Sequence, residues 1–174
     1  MRNRILALLP LAVLLASCWS SSDELISYDA ADTPSVAGSY LYTAEGTEPT
    51  SVRISAAGDR YFSFTGTDRD GAPYSDELRF DRLKGAWYLV HSIGASGGDT
   101  GTYYYRILKI GDRTIDEFDP GCDESDAAYL GVSEQDGDCT FAEYEGLRDA
   151  AMARADRYDR GETHVLSYIG SYAR

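Results

Sequence analysis

Nine carboxylates fall within the 23 residues from Asp116 to Asp138, and neither lysine nor arginine interrupts them. Oxygens at this density could hold calcium, which takes six to eight of them from a flexible loop. Their spacing departs from the EF-hand pattern, however, and in a chain of net charge −13 such a run reads as a solvated loop, so no metal is assigned. The two histidines, His91 and His164, could each act as a base, but neither has a metal-ligand spacing and no GxSxG nucleophile turn is present. No catalytic residue and no cofactor is assigned, and the chain is read as a non-enzyme. Three consecutive tyrosines, Tyr103 to Tyr105, must alternate faces if they lie in a strand. Tyrosine offers an apolar ring with a polar tip, which suits a ligand cavity or a protein interface. A pocket is therefore sought among Phe62, Phe64, Trp87, Tyr103 and Tyr105.

The start of the chain carries a different chemistry. Arg2 and Arg4 precede an apolar stretch from Ile5 to Leu15 that is too short to span a bilayer as a permanent helix, and it reads as an export signal. Leu15, Ala16, Ser17 and Cys18 resemble the lipobox of bacterial lipoproteins: an aliphatic residue, two small residues and the cysteine. The resemblance implies cleavage before Cys18, a diacylglycerol on its thiol and usually a further acyl chain, such as palmitate, on the new amino terminus. Each buried methylene contributes about 0.8 kcal/mol, so two or three chains hold a protein at a membrane where one does so only marginally. Trp19 stands where an inner-membrane retention signal would place Asp, so the expected location is the outer membrane with the domain facing the periplasm.

With Cys18 lipidated, Cys122 and Cys139 are the remaining pair. An exported chain meets an oxidising compartment, so they are expected to form a disulfide. Loss of residues 1–17 removes two arginines and no acid, leaving 14 basic against 29 acidic side chains, net −15. The basic residues include only two lysines, Lys84 and Lys109, which argues against nucleic acid as a partner. The same charge repels bare anionic lipid, so membrane contact is assigned to the acyl chains.

The elements that must position these residues are mostly strands. Residues 18–37 are polar, acidic and without sustained period, and read as a flexible tether, leaving residues 38–174 as one β-rich domain. Within it, short alternating segments recur between Gly and Asp turns, at 39–43, 52–56, 61–65, 78–81, 87–93, 103–110 and 113–118. They follow one another without helical crossovers, so the sheet is expected to be an antiparallel meander. Thr140 and Glu143 read as a capping box opening a helix over about 141–158, and a last strand follows His164.

The fold class is thus mainly β: about eight antiparallel strands forming a small barrel or a sandwich, with one helix before the final strand. This order is similar to lipocalin-like barrels, with Gly38, Ser39 and Tyr40 standing where those carry a GxW signature. The expected function is a non-catalytic envelope lipoprotein acting as a binding or interaction module. One alternative is a lipocalin-like carrier of a lipid or small apolar ligand. Another is an acidic inhibitor of a basic envelope-attacking enzyme such as lysozyme, with an envelope protein as its partner.

Overall fold

The computed structural model describes residues 19–67, 71–93 and 101–174. The proposed signal, Cys18 and most of the glycine-rich segment 94–101 lie outside these residues. The strands are β1 (Trp19–Ser21), β2 (Gly38–Ala44), β3 (Thr50–Ala56), β4 (Phe62–Thr67), β5 (Pro73–Lys84), β6 (Trp87–Ile93), β7 (Tyr103–Ile110), β8 (Thr114–Asp119), β9 (Val132–Gln135), β10 (Asp138–Phe141) and β11 (Ser167–Ala173), with helix α1 (Tyr144–Asp159) before the last. Strands β2 to β8 pair in sequence, each antiparallel to the next. Strand β11 then enters between β8 and β2, antiparallel to both, and closes an eight-stranded barrel. Closure removes the open edges that a sandwich would have kept.

The barrel wall forks at β7. Ile107 to Ile110 pair with β8, whereas Tyr103 to Tyr105 pair with β1, and β10 and β9 extend that branch into a small side sheet. Helix α1 lies over the outside of β5 and β6 and against β10, with Leu147, Ala150, Ala151 and Ala155 buried in the cluster it shares with the wall. The alanines let the helix approach closely. Gly146 is needed for a related reason, since a Cβ there would fall 1.8 Å from the carbonyl oxygen of Leu130.

The wall is consequently buried on both faces beneath the helix. Val90 and Leu108 point into the barrel; Trp87, Leu89, Tyr105 and Ile107 point out, into a second apolar cluster with Trp19, Phe141 and the helix. Strands buried on both faces read as near-continuous apolar runs, which is what WYLV and RILKI show.

Two expectations are corrected here. The segment expected to be a tether is part of the folded body: Trp19, Ile26 and Val36 have no exposed surface. The sequence shows no basic residue within this segment because the arginines that hold it come from the barrel. Arg79 meets Glu24 at 2.8 Å, and Arg60 donates to the carbonyls of Tyr28, Asp29 and Ala31. The domain therefore extends at least to Trp19 rather than beginning at Gly38. The capping box is also absent, because Thr140 is held in β10 between Ser20 and Ser133, and Glu143 occupies the N-cap without a side-chain bond. A capping box does form nearby, where Asp123 and Asp126 close the single helical turn Glu124–Ala128.

Candidate functional site at the mouth of the barrel

The two ends of the barrel differ. One is sealed by the chain entering β2: the Tyr40 hydroxyl donates to Val36 O at 2.6 Å. Arg174 caps the same end, its guanidinium 5.0 Å above the Tyr40 ring and donating to the carbonyls of Ser35 and Ala37. The Gly38–Ser39–Tyr40 segment noted in the sequence thus belongs to the closed end.

The other end opens onto a cavity of about 140 Å³. Its floor is apolar, made by Ile54, Phe80, Val90 and Leu108, and its upper part is polar, with Asp76, Ser92, Tyr104, Arg106, Glu117 and Tyr172. Alternation explains the gradient: Arg106 follows the inward parity of Leu108 on β7, and Glu117 that of Ile115 on β8, each one step nearer the mouth.

Glu117 is partly buried in the wall and accepts a hydrogen bond from the Tyr172 hydroxyl at 2.7 Å. Burial raises its pKa above the usual carboxylate range, while the Tyr172 bond and the nearby Arg106 charge act in the opposite direction. Burial, reinforced by the charge of Glu117, likewise raises the pKa values of Tyr42, Tyr74 and Tyr172, so all three are neutral phenols at physiological pH. Arg106 sits at the fork in the wall, donating to Tyr105 O at 3.2 Å, with its guanidinium 4.0 Å from Asp119.

Aromatic rings form one continuous side of the mouth. Tyr42 and Tyr172 lie 4.6 Å apart, Phe64 meets Tyr172 edge-on at 5.9 Å, and Tyr74 stands 5.7 Å from Phe64. Gly170 permits the first contact, since a Cβ there would come within 2.7 Å of the Tyr42 ring. Tyr74 also borders an open groove of about 940 Å³ outside the cavity, framed by the β2–β3 loop with Glu45 and Glu48.

The five aromatic residues expected to share a pocket separate. Phe64 lines the cavity, and Phe62 packs edge-on against Phe80 in the barrel core, 5.2 Å between centroids. Trp87, Tyr103 and Tyr105 point out of the barrel, and Tyr104 is the inward member of its triplet. Trp87 donates to the Asp159 carboxylate at 3.1 Å beneath the helix. The Tyr105 hydroxyl accepts from Leu25 N at 3.2 Å and donates to Asp23 O at 3.3 Å, pinning the amino-terminal segment.

The histidines do not converge. His91 is 1% exposed on the outer face, with Nε2 3.5 Å from Glu24, and burial lowers its pKa to about 4. His164 is exposed on the short turn before β11.

The acidic run is dispersed rather than gathered. Glu117 faces the lumen, and Asp126 is fully buried, accepting from Arg154 Nη2 at 2.7 Å. Helix α1 thus supplies the cation that the local sequence lacked. Cys122 and Cys139 are bridged, with Cα atoms 5.5 Å apart, and Asp126 lies beside them. Both sulfurs are committed to the bridge and Asp126 to Arg154, so this trio offers a cation no thiolate.

Among the described residues no helix is long and apolar enough to cross a membrane. Arg106, Asp76, Tyr42 and Tyr74 are not singled out by the sequence and Glu117 figures there only within the acidic run, although continuing the strand parity inward from Leu108 and Ile115 reaches Arg106 and Glu117. Comparison with protein-family models, with curated proteins and with solved structures finds no match to this chain.

Proposed function

We propose that this chain is a lipid-anchored, non-catalytic binding protein of the bacterial envelope whose barrel takes one small polar molecule at its open end. The observation that supports this reading is the cavity itself, apolar below and carrying the partly buried Glu117, Arg106 and tyrosine hydroxyls above. A few polar groups set above an apolar floor are the usual make-up of a site that orients a small guest. A volume of about 140 Å³ is close to that of the engineered cavity that admits benzene, so the guest has about six or seven non-hydrogen atoms. A carrier of long acyl chains needs several times that space, which argues against the lipid-carrier alternative. The separation of His91 from His164, and the burial of His91, favour binding over catalysis. The lipobox at Cys18 and the Cys122–Cys139 bridge favour the envelope.

The test is native mass spectrometry of the full chain extracted in mild detergent from its own envelope. A small adduct that is lost when Tyr104→Trp fills the cavity is the expected result. A protein that is empty in every preparation, and whose tyrosine ring NMR signals respond to no small molecule, would overturn the reading. For the anchor, a Cys18→Ala variant should leave the membrane fraction with its fold intact, and retention after a salt wash would count against lipidation.

A further inference from the structure

We infer that the Cys122–Cys139 bridge is a thiol–disulfide exchange site: Cys122 takes an external thiolate, and Asp126 receives the proton of the Cys139 thiol that is released. The bridge belongs to the outer side of the wall and shares no residue with the lumen. Its two sulfurs differ in access. Cys139 is completely buried in the cluster of Trp19, Phe141 and Leu147, whereas Cys122 is partly exposed in the loop after β8. A thiolate attacks the sulfur that it can reach, so Cys122 is the electrophile and Cys139 the leaving group.

A sulfur released into apolar surroundings needs a partner for its charge or its proton. Asp126 is placed to be that partner, since its Oδ2 stands 3.7 Å from Cys139 Sγ and the residue has no exposed surface. While the bridge is closed Cys139 has no proton to donate, so this contact becomes a hydrogen bond only after exchange. Burial raises the Asp126 pKa, against the opposing pull of the Asp123 amide and the Arg154 charge, which moves the carboxylate toward the range in which it can take and return a proton. In the forward step the attacking thiol gives its proton to solvent and bonds to Cys122 Sγ. The electron pair of the old S–S bond passes to Cys139 Sγ, which gains one proton; the incoming sulfur is oxidised and Cys139 is reduced. In the reverse step Asp126 takes the Cys139 proton, and that sulfur expels the bound thiol from Cys122.

The backbone around both sulfurs is held without the bridge. Strand β10 pairs Cys139 with Trp19 on one side and with Glu134 on the other. The Cys122 loop is fixed by Arg154, whose Nε donates to Pro120 O at 2.9 Å and whose Nη2 donates to Asp126 Oδ2 at 2.7 Å. Gly121 N donates to Asp119 at 2.8 Å just before the cysteine, and the Asp123–Asp126 capping box follows it. Opening the bridge therefore leaves the two thiols near one another, the proximity that rapid re-closure requires.

The experiment uses the detergent-solubilised full chain, its free thiols first blocked with iodoacetamide, and 2-mercaptoethanol as the attacking thiol. Acid quenching and peptide mass spectrometry then give the opening rate and the position of the adduct. The adduct is expected on Cys122, at a rate that stays within about twofold as urea rises to just below the unfolding transition, because attack on the native fold exposes little new surface. A bridge reached only through unfolding would open faster in step with urea and carry the adduct on both cysteines. That result, or no opening below the transition, would overturn the exchange site.

Asp126→Asn tests the proton step. After the free thiol is removed, re-closure of the mixed disulfide is expected to slow at least about tenfold while the opening rate is unchanged. Unchanged re-closure, or opening and re-closure that shift together as in a merely loosened fold, would remove Asp126 from the reaction. Should that variant fail to fold, the S–H Raman band of the parent mixed disulfide answers the same question: it is expected below the frequency of a free thiol, and an unshifted band would count against Asp126.

Discussion

The two apolar clusters of this protein are built from similar residues and packed to different ends. The outer cluster, between the barrel wall and helix α1, is solid: Trp19, Trp87, Tyr105, Phe141 and Leu147 all lose essentially their whole surface there. The inner cluster fills only the closed half of the barrel and leaves a cavity at the mouth, where partly buried tyrosines replace tryptophan and leucine. The difference separates two tasks. The outer cluster supplies stability on one face of the wall, which allows the other face to remain hollow and to carry Glu117 in a setting that disfavours its charge.

This contrast can be broken most severely from the amino terminus. Deleting residues 19–37 removes Trp19, Ile26 and Val36 from the two clusters, and at about 1.5–3 kcal/mol for each buried side chain the loss is about 5 kcal/mol or more. A chain starting at Gly38 is therefore expected to show no cooperative thermal transition, whereas one retaining Trp19 onward should melt cooperatively.

Next in size is a pair of point variants on opposite faces of the wall. Trp87→Ala empties the outer cluster and should cost about 3–5 kcal/mol in urea unfolding, while Tyr104→Phe in the lumen should cost less than about 1 kcal/mol. Equal losses would abolish the distinction between a load-carrying outer face and a permissive lumen.

Acid titration probes the outer face through His91. Its pKa is lowered in the fold to about 4 from an ordinary value of 6.5, so between those values the unfolded chain takes up a proton that the folded chain refuses. Stability is complete above pH 6.5 and declines as pH falls toward 4, by up to about 3 kcal/mol from this group, the Arg79 charge acting in the same direction as burial. His91→Gln should flatten that part of the stability–pH curve, and an unchanged slope would show that the site tolerates the imidazolium.

The smallest effect has the opposite sign and belongs to the lumen. The raised pKa of Glu117 means that folding favours its protonated form, so its contribution is best at low pH and weakens as pH rises above the ordinary glutamate value. Glu117→Gln should therefore be slightly more stable than the parent at neutral pH. A destabilised variant would indicate that ionised Glu117 is held by its neighbours as a structural charge.

The eight barrel strands and the helix were legible because alternation and the helical period each ran for several residues in Val52 to Ala56, in Trp87 to Ile93 and in Leu147 to Ala155. Strands β1, β9 and β10, at three or four residues, are too short to show a period, and the amino-terminal segment docks through isolated residues. Alternation tells which residues share a face but not which face is hollow. Trp87, Tyr103 and Tyr105 were placed in a pocket because both faces of their strands are apolar. Arg106 escaped notice, and Glu117 was read only as part of a solvated acidic run, because a charge at an alternating position ordinarily marks the solvent side.

Trp19 is buried in β1 and immediately follows the proposed lipid-bearing cysteine. A lipid there would attach to the flank of the barrel without a leash, so the domain could neither reach outward through the periplasm nor tumble freely over the bilayer. It would sit within a side chain's length of the headgroups with its mouth held at a fixed heading. Any ligand would then be collected from, or delivered to, a thin layer of solvent next to the membrane, and lengthening the Cys18–Trp19 junction with a flexible insert would release that constraint without touching the cavity.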